Sequence, residues 1–520
     1  MQKVVCPGCG AEVNFLSAAS VMAVCGFCKT TVLKDADAIR NIGKMSEVIE
    51  DYSPIQITTS GVFQGTGFSV IGRIQLHYDA GFWNEWYVQL DDGNNAWLSD
   101  ASGQYTFTSE VATPPADLPA FASLSPGKTL RSGGEVFTAA DVRIAQCTGG
   151  QGELPFVVGG GWKARVADFR SGRKFLTLDY SDVHPGEGYE DQQTALPDEQ
   201  KKLLNYQEGE TKVYSGRAVT LAELKCQLLR GEDQITDSAG RYKGKVGNLE
   251  CPSCGSPVAF SPGMTSHLVC PACHGEADLS GPKAEVIAAA SRVASETKSV
   301  VTTLQLGATA TIDGGKYTIL GVIRRRDTSA EADDPEAQWT EYELYAPGKG
   351  FLWLVETVNG WERADVLDEW PSGVGSDEVS QSGAKYKRLY SYPAVVSYAA
   401  GSFNWRISVG DSTNISEYSC GIAKLAAEQD EHEITWSRSI AVPANSIRLW
   451  FGQEIKADKA QAQDGQTGPY RKLAIRMIVT LFFLNIIPIL ATDAAALIYS
   501  SIAAVLIWLP ANYLDKIDPE

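Results

Sequence analysis

Two cysteine quartets share one internal spacing: Cys6, Cys9, Cys25, Cys28 and Cys251, Cys254, Cys270, Cys273 each read as a C-x-x-C pair, fifteen residues, and a second C-x-x-C pair. Two such pairs bring four sulfurs to one tetrahedral ion, so the pattern predicts a zinc ribbon written twice. A ribbon buries too little apolar surface to fold alone, and its ion must supply much of the folding free energy. Cys-Pro-Gly-Cys-Gly at 6–10 and Cys-Pro-Ser-Cys-Gly at 251–255 suit knuckle turns, proline fixing one dihedral and glycine supplying a positive φ. Sulfur fills all four coordination positions, so both zinc ions are expected to be structural, with no place for water or substrate. A redox dithiol or an iron–sulfur cluster is the rival use of the same residues.

The chain has 520 residues, too many for one core, so several domains are expected. A formal net charge of −18 repels phosphate backbones, and Lys29 and Lys34 are too few to make a phosphate groove of the first ribbon. No nucleic-acid partner is expected. Cys147, Cys226 and Cys420 stand apart from the quartets and from one another, where a secreted chain would pair its cysteines. The opening residues, MQKVVCPGCG, hold no apolar signal segment. Both observations predict a cytosolic, reducing setting for the soluble part.

A second repeat follows each ribbon. Trp83-x-Glu85-Trp86 matches Trp339-x-Glu341-Tyr342, and Trp97-Leu98 matches Trp353-Leu354, a period of roughly 250 residues. Alternation over Trp86–Leu90 and Tyr342–Tyr345 marks half-buried strands. The expected organisation is zinc ribbon 1 at 1–33, a helical connector at 34–54, a β domain at 55–185 and a helical linker at 186–248, with helices over Ala195–Gln207 and Ala218–Gly231. Zinc ribbon 2 at 249–280, a helical connector at 281–303, a second β domain at 304–375, a C-terminal β extension at 376–455 and a polar linker at 456–470 complete it. The fold class is mainly β, small β-barrel or sandwich modules with two zinc ribbons, helical connectors and a C-terminal transmembrane α-helical hairpin over 471–514. The hairpin rests on the apolar runs Leu473–Leu490 and Ala494–Leu509, each close to the roughly 20 residues a span requires. Arg471, Lys472, Arg476 and Lys516 flank it while Asp493 sits in its turn, which predicts both ends in the cytoplasm.

The candidate ligand residues are Trp83, Glu85 and Trp86 with their counterparts Trp339, Glu341 and Tyr342. A carboxylate framed by aromatics suits an amine or a basic peptide; the same tryptophans equally suit the packing of a small barrel, with the glutamate solvated or paired with an arginine. Five histidines without H-E-x-x-H, glycine-rich stretches without a Walker lysine, and the lack of a nucleophile elbow yield no catalytic residue. Asp430-Glu431-His432-Glu433 is a charge cluster beside a strand, read as a solvated turn with some capacity for a cation.

A CPxCG ribbon preceding W-x-E-[WY] and W-L is joined by Gly-Glu-Leu-Pro-Phe at 152–156, Thr-Leu-Asp-Tyr at 177–180, F-x-W-x-I-x-V-G-D at 403–411 and E-I-T-W-S at 433–437. With these motifs the chain resembles the bacterial zinc-ribbon membrane proteins that carry an uncharacterised domain of unknown function (family 4178), here in two copies. The resemblance implies no assigned activity and no catalytic residues; it implies accessory proteins, sometimes encoded near polyamine-synthase-like proteins. The expected function is therefore a membrane-anchored cytosolic scaffold or recognition protein of the inner (cytoplasmic) membrane, with protein partners. A polyamine or cation sensor, and an enzyme with an unrecognised site in the β modules, are the alternatives.

Overall fold

The computed structural model describes residues 2–34, 39–44, 48, 51–115, 117–157, 162–181, 210–231, 233–235, 249–258, 260, 265–279, 285–288, 300–331, 334, 337–346, 349–452, 469–485 and 495–517. Two compact units divide the chain: Met1–Thr357 with Trp361–Val442, and Val358–Gly360 with Pro443–Glu520.

The first unit holds two eight-stranded antiparallel barrels of identical topology. Barrel one uses β1 (Thr66–Tyr78), β2 (Gly81–Leu90), β3 (Asn95–Ala101), β4 (Gln104–Glu110), β5 (Glu135–Leu154), β6 (Lys163–Ser171), β7 (Lys174–Asp179) and β8 (Lys212–Val219). Their order around the ring is β5-β6-β7-β8-β4-β3-β2-β1, closed by pairing of β1 with β5. Barrel two repeats the plan with β9 (Gly315–Asp327), β10 (Gln338–Ala346), β11 (Gly350–Thr357), β12 (Gly360–Val366), β13 (Ala384–Phe403), β14 (Ser412–Cys420), β15 (Ala423–Gln429) and β16 (Ile434–Val442). It closes through β9 and β13.

A glycine pair makes each closure possible. A Cβ on Gly72 would lie 1.7 Å from the Glu153 carbonyl oxygen, and one on Gly152, whose φ is +67°, would lie 2.2 Å from that of Ile71. Gly401 in the second barrel, at φ +116°, would meet the Leu320 carbonyl at 2.2 Å. Backbones that approach this closely admit no side chain. Beyond the glycine, each long strand leaves the ring and pairs with a ribbon: Gly152–Leu154 with Met22–Val24, and Gly401–Phe403 with His267–Val269.

Several expectations from the sequence need correction. The β domain at 304–375 and the extension at 376–455 are one barrel, because β9–β12 alone would leave two open sheet edges that β13–β16 close. Lys212–Val219, placed in a helical linker, is β8; it fills the gap between β4 and β7. Residues 220–231 form turns, with Leu224 buried in a core beside Ile55 and Phe68, so no helix covers Ala218–Gly231. Residues 195–207 lie outside the described residues. The helical connectors carry strands instead: Ile39–Lys44 pairs with Thr30–Lys34, and Glu285–Ala288 with Glu276–Asp278. The open edge of each ribbon supplies backbone partners that outweigh the helix propensity of these segments.

The second unit contains helices α1 (Ala444–Phe451), α2 (Pro469–Leu484) and α3 (Ala495–Ile517). Among the described residues no helix is long and apolar enough to cross a membrane. The spanning hairpin expected over 471–514 is therefore not found among them. With 16 residues, α2 falls short of the roughly 20 a span requires, and α3 carries Pro510 and runs on to Asn512, Asp515 and Lys516. Apolar side chains nonetheless stand exposed on both, among them Val479, Phe483, Leu506 and Leu509.

Candidate functional sites

In each ribbon the four cysteine sulfurs converge to within 4.8 Å of one another. Cys6 and Cys28 Sγ are 3.6 Å apart, Cys9 and Cys25 3.7 Å, Cys251 and Cys273 3.7 Å, Cys254 and Cys270 3.8 Å. A tetrahedron with metal–sulfur bonds of about 2.3 Å has edges of about 3.8 Å. The sulfurs thus sit where one closed tetrahedral ion needs them, and each quartet can hold a metal ion. Backbone N–H groups complete the shell, Gly8 donating to Cys6 Sγ and Gly275 to Cys273 Sγ, both at 3.4 Å. Gly10 and Gly255 take the positive φ at the first knuckle, as their sequence context implies. At the second knuckle that conformation falls on Lys29 and His274, which gives His274 a backbone role that its chemistry does not advertise.

The ribbons are tied to the barrels by buried polar contacts. Glu153 on β5 accepts the backbone N–H of Leu16 at 2.6 Å and of Ser17 at 3.1 Å, and the Ser20 hydroxyl at 2.7 Å. In the second copy His267 Nε2 donates to the Ile407 carbonyl at 2.9 Å, and the Ser266 hydroxyl donates to that of Asn404 at 2.7 Å.

Residues two apart on a strand share a face, so the repeated motif splits. Trp86 and Tyr342 point outward and are buried, Trp86 in an apolar cluster and Tyr342 stacked on Trp361; the Trp86 ring lies 4.6 Å from the Arg73 guanidinium carbon, and Arg73 pairs with buried Asp51 at 2.6 Å. Trp83, Glu85, Trp339 and Glu341 point into the barrels. The Trp83 indole N–H donates to Glu85 at 2.8 Å, and Trp339 donates to Glu341 at 2.7 Å. Each glutamate is therefore accompanied by one tryptophan, and Trp86 and Tyr342 do not frame it.

Further carboxylates share these interiors. Asp168 on β6 and Asp179 on β7 lie across the ring from Glu85, and their charges act on it. Burial pushes the Glu85 carboxyl up to about 7, against hydrogen bonds from Ser99 and Trp83, and the two aspartates push the same way. Burial likewise raises Asp168 to about 6, opposed by the Thr177 hydroxyl and the Arg170 and Arg143 charges. In barrel two Arg325 on β9 reaches across to Glu428 on β15 at 2.5 Å and lies 3.5 Å from Glu341. Tyr392 donates to Glu417 at 2.5 Å. Glu343, next inward-facing residue after Glu341, is buried, and neither of its carboxylate oxygens has a hydrogen-bond partner among the described residues.

Sequence reading missed Asp168, Asp179, Arg325, Glu417 and Glu428. Carrying the repeat beyond Trp-Leu would have aligned Asp168 with Glu417 and Asp179 with Glu428, since each pair holds one place in equivalent hairpins. The Asp430–Glu433 cluster, read as a solvated turn, is part of the seam between the barrels: Glu433 accepts Arg143 of barrel one at 2.6 Å, and Val142 N–H donates to the His432 carbonyl at 2.9 Å.

No curated protein matches the chain. The family model described as Domain of unknown function (DUF4178) matches residues 56–221 and 305–444, one match to each barrel and more than half of the sequence together, so the chain belongs to that family.

Proposed function

We propose that this chain is a non-catalytic recognition or scaffold protein whose two barrels present one rigid binding body, with zinc in both quartets and the C-terminal helices attaching it to the cytoplasmic face of a membrane. The observation that carries the reading is the continuity of each ribbon with the longest strand of its barrel. A closed tetrathiolate site placed there orients a module and offers no open coordination position. The seam through Arg143, Glu433 and His432 supports a single body. Exposed apolar side chains on α2 and α3 support a lipid-facing role for the tail, and eleven cysteines, none of them in a disulfide, fit a reducing compartment.

The test is purification of the full chain from bacterial membranes in mild detergent, with quantitative analysis of metals and co-purifying proteins. The reading expects zinc, recovery in the membrane fraction that a deletion of residues 469–520 abolishes, and a partner that is lost when both Cys9→Ser and Cys254→Ser are introduced. Full recovery in the soluble fraction would reject the membrane role, and partner capture unchanged by zinc loss would reject the structural role of the ribbons.

A further inference from the structure

The two barrels share one plan but meet through unlike faces. Barrel one contributes β5 and the turn that joins β6 to β7; barrel two contributes an apolar flank. Both β5 and β13 carry a bulge at the same place, Ala140 between Ala139 and Asp141, and Leu389 between Arg388 and Tyr390. Ala140 is buried in a cluster with Trp370, Tyr418, Leu425, Ile434 and Trp436 of barrel two. Backbone bonds flank it: Val142 N–H donates to the His432 carbonyl at 2.9 Å, and Trp370 N–H donates to the Gly172 carbonyl at 3.0 Å. This face of barrel one thus accepts the flank of a barrel of its own family.

Barrel two has the same face, and barrel one does not reach it. Thr138 and Lys387 hold one place in equivalent hairpins, as do Ser171 and Cys420. The counterparts of Ala140, Asp141 and Arg173 are therefore Leu389, Tyr390 and Ile422, and Ser391 stands where Val142 donates across the seam. Leu389, Tyr390 and Ile422 are 43%, 64% and 91% exposed, where Ala140 is buried. Beside them runs a groove of about 520 Å³, lined by Asp377, Lys387, Arg388, Leu389, Tyr390 and Ser391. A bulge re-aims its side chain, and apolar side chains gathered in water on one face mark an interaction surface. With leucine for alanine, tyrosine for aspartate and isoleucine for arginine, the uncovered face is the more apolar of the two.

We propose that this face of barrel two docks the first barrel of a second copy of the chain, joining chains head to tail as the two barrels of one chain are joined. The occupant follows from the contact already made. What fits this face is the flank of such a barrel, and in a second copy the flank of barrel two is taken by its own barrel one. The flank left is that of barrel one. There Phe121, eight residues before the short strand Thr129–Ser132, packs over Phe169, Leu176 and Val213, as Trp370, eight residues before Glu378–Gln381, packs over Tyr418, Leu425 and Trp436. A contact between unlike faces extends into a series or closes into a ring. The proposal goes beyond the scaffold reading by naming what assembles, and it rests on the barrel contact, independent of the zinc and of the tail.

The experiment is sedimentation velocity of the full, zinc-loaded chain in mild detergent, from low to high micromolar protein. The mass should rise above one chain as concentration rises. Tyr390→Asp and Ile422→Asp, both at exposed positions, should each return single chains with unchanged Tm. Ala122→Asp, exposed beside Phe121, should do the same from the other side of the contact. Mixing Tyr390→Asp chains with Ala122→Asp chains should restore one contact, giving dimers and nothing larger. A single-chain mass at every concentration would overturn the proposal. Association that survives Tyr390→Asp would overturn it by placing the contact on the tail or another surface, and association of Ala122→Asp alone would overturn it by showing that like faces meet. Zinc content and membrane recovery of the same preparations report separately on the recognition reading.

Discussion

Glu153 accepts the backbone N–H of Leu16 at 2.6 Å, so a side chain from the strand that leaves the first barrel holds the loop of the first cysteine ribbon. Glu153 is buried, and its removal leaves the Leu16 and Ser17 N–H groups and the Ser20 hydroxyl without their acceptor. Glu153→Ala should lower stability by about 2–4 kcal/mol, and Glu153→Gln, which keeps one acceptor, by less. Urea unfolding followed by tryptophan fluorescence measures both. A cost under about 0.5 kcal/mol would show that the ribbon docks without this carboxylate.

Metal removal should act on folding. The intact chain should carry two zinc ions, and Cys9→Ser or Cys254→Ser should each leave one. A strong chelator should expose the strand edges at Met22–Val24 and His267–Val269, seen as faster amide exchange there than in β2 or β10. Protection of both edges unchanged in metal-free protein would mean that barrel pairing alone holds the ribbons.

The Asp51–Arg73 pair is enclosed, with side chains 0% and 2% exposed. Asn84 Nδ2 also donates to Asp51 at 2.6 Å, and Arg230 lies 3.4 Å from it. Arg73→Met removes the nearer counter-charge of this buried carboxylate, leaving it Arg230 and Asn84, and should cost about 3 kcal/mol, whereas Arg73→Met with Asp51→Leu should recover part of that loss. Thermal unfolding of the single and double variants checks this. Additive losses would show that the two groups act independently.

The interior carboxylates predict a pH dependence with a defined sign. Glu85 is raised from 4.5 to about 7 and Asp168 from 3.8 to about 6. The folded state therefore holds protons that the unfolded chain releases near its ordinary carboxylate pKa, so stability falls as pH rises from about 4 to about 7 and levels off above it. Glu85→Gln should flatten the upper part of that slope. Urea midpoints at pH 5 and pH 7.5 test it, and an unchanged slope in the variant would remove Glu85 as its source.

What was legible in the sequence is what local chemistry encodes. The quartets declare themselves by spacing, and the duplicated tryptophans by identity, so the two clusters of four sulfurs and the repeat were readable. Ring closure was not. It depends on Gly72 meeting Glu153 and Gly321 meeting Phe403 across long loops, and no local pattern states which strands meet. The strands at Ile39–Lys44 and Glu285–Ala288 were hidden for a related reason: an open ribbon edge recruits them, although EVIAAA in isolation favours a helix. Glu85 was found as a residue, but its companions Asp168 and Asp179 come from the opposite wall, which only the closed barrel brings near.

The strands β5 and β13 are 20 residues each and pass in turn through a barrel wall, a closing seam and a ribbon. A slip of one position along such a strand would invert every side chain it carries. Interior acids, glycine crossing and thiolate clamp would all fall out of step together. Length changes within 135–154 or 384–403 should thus be the least tolerated anywhere in the chain, and insertions in the hairpin turns the most readily absorbed.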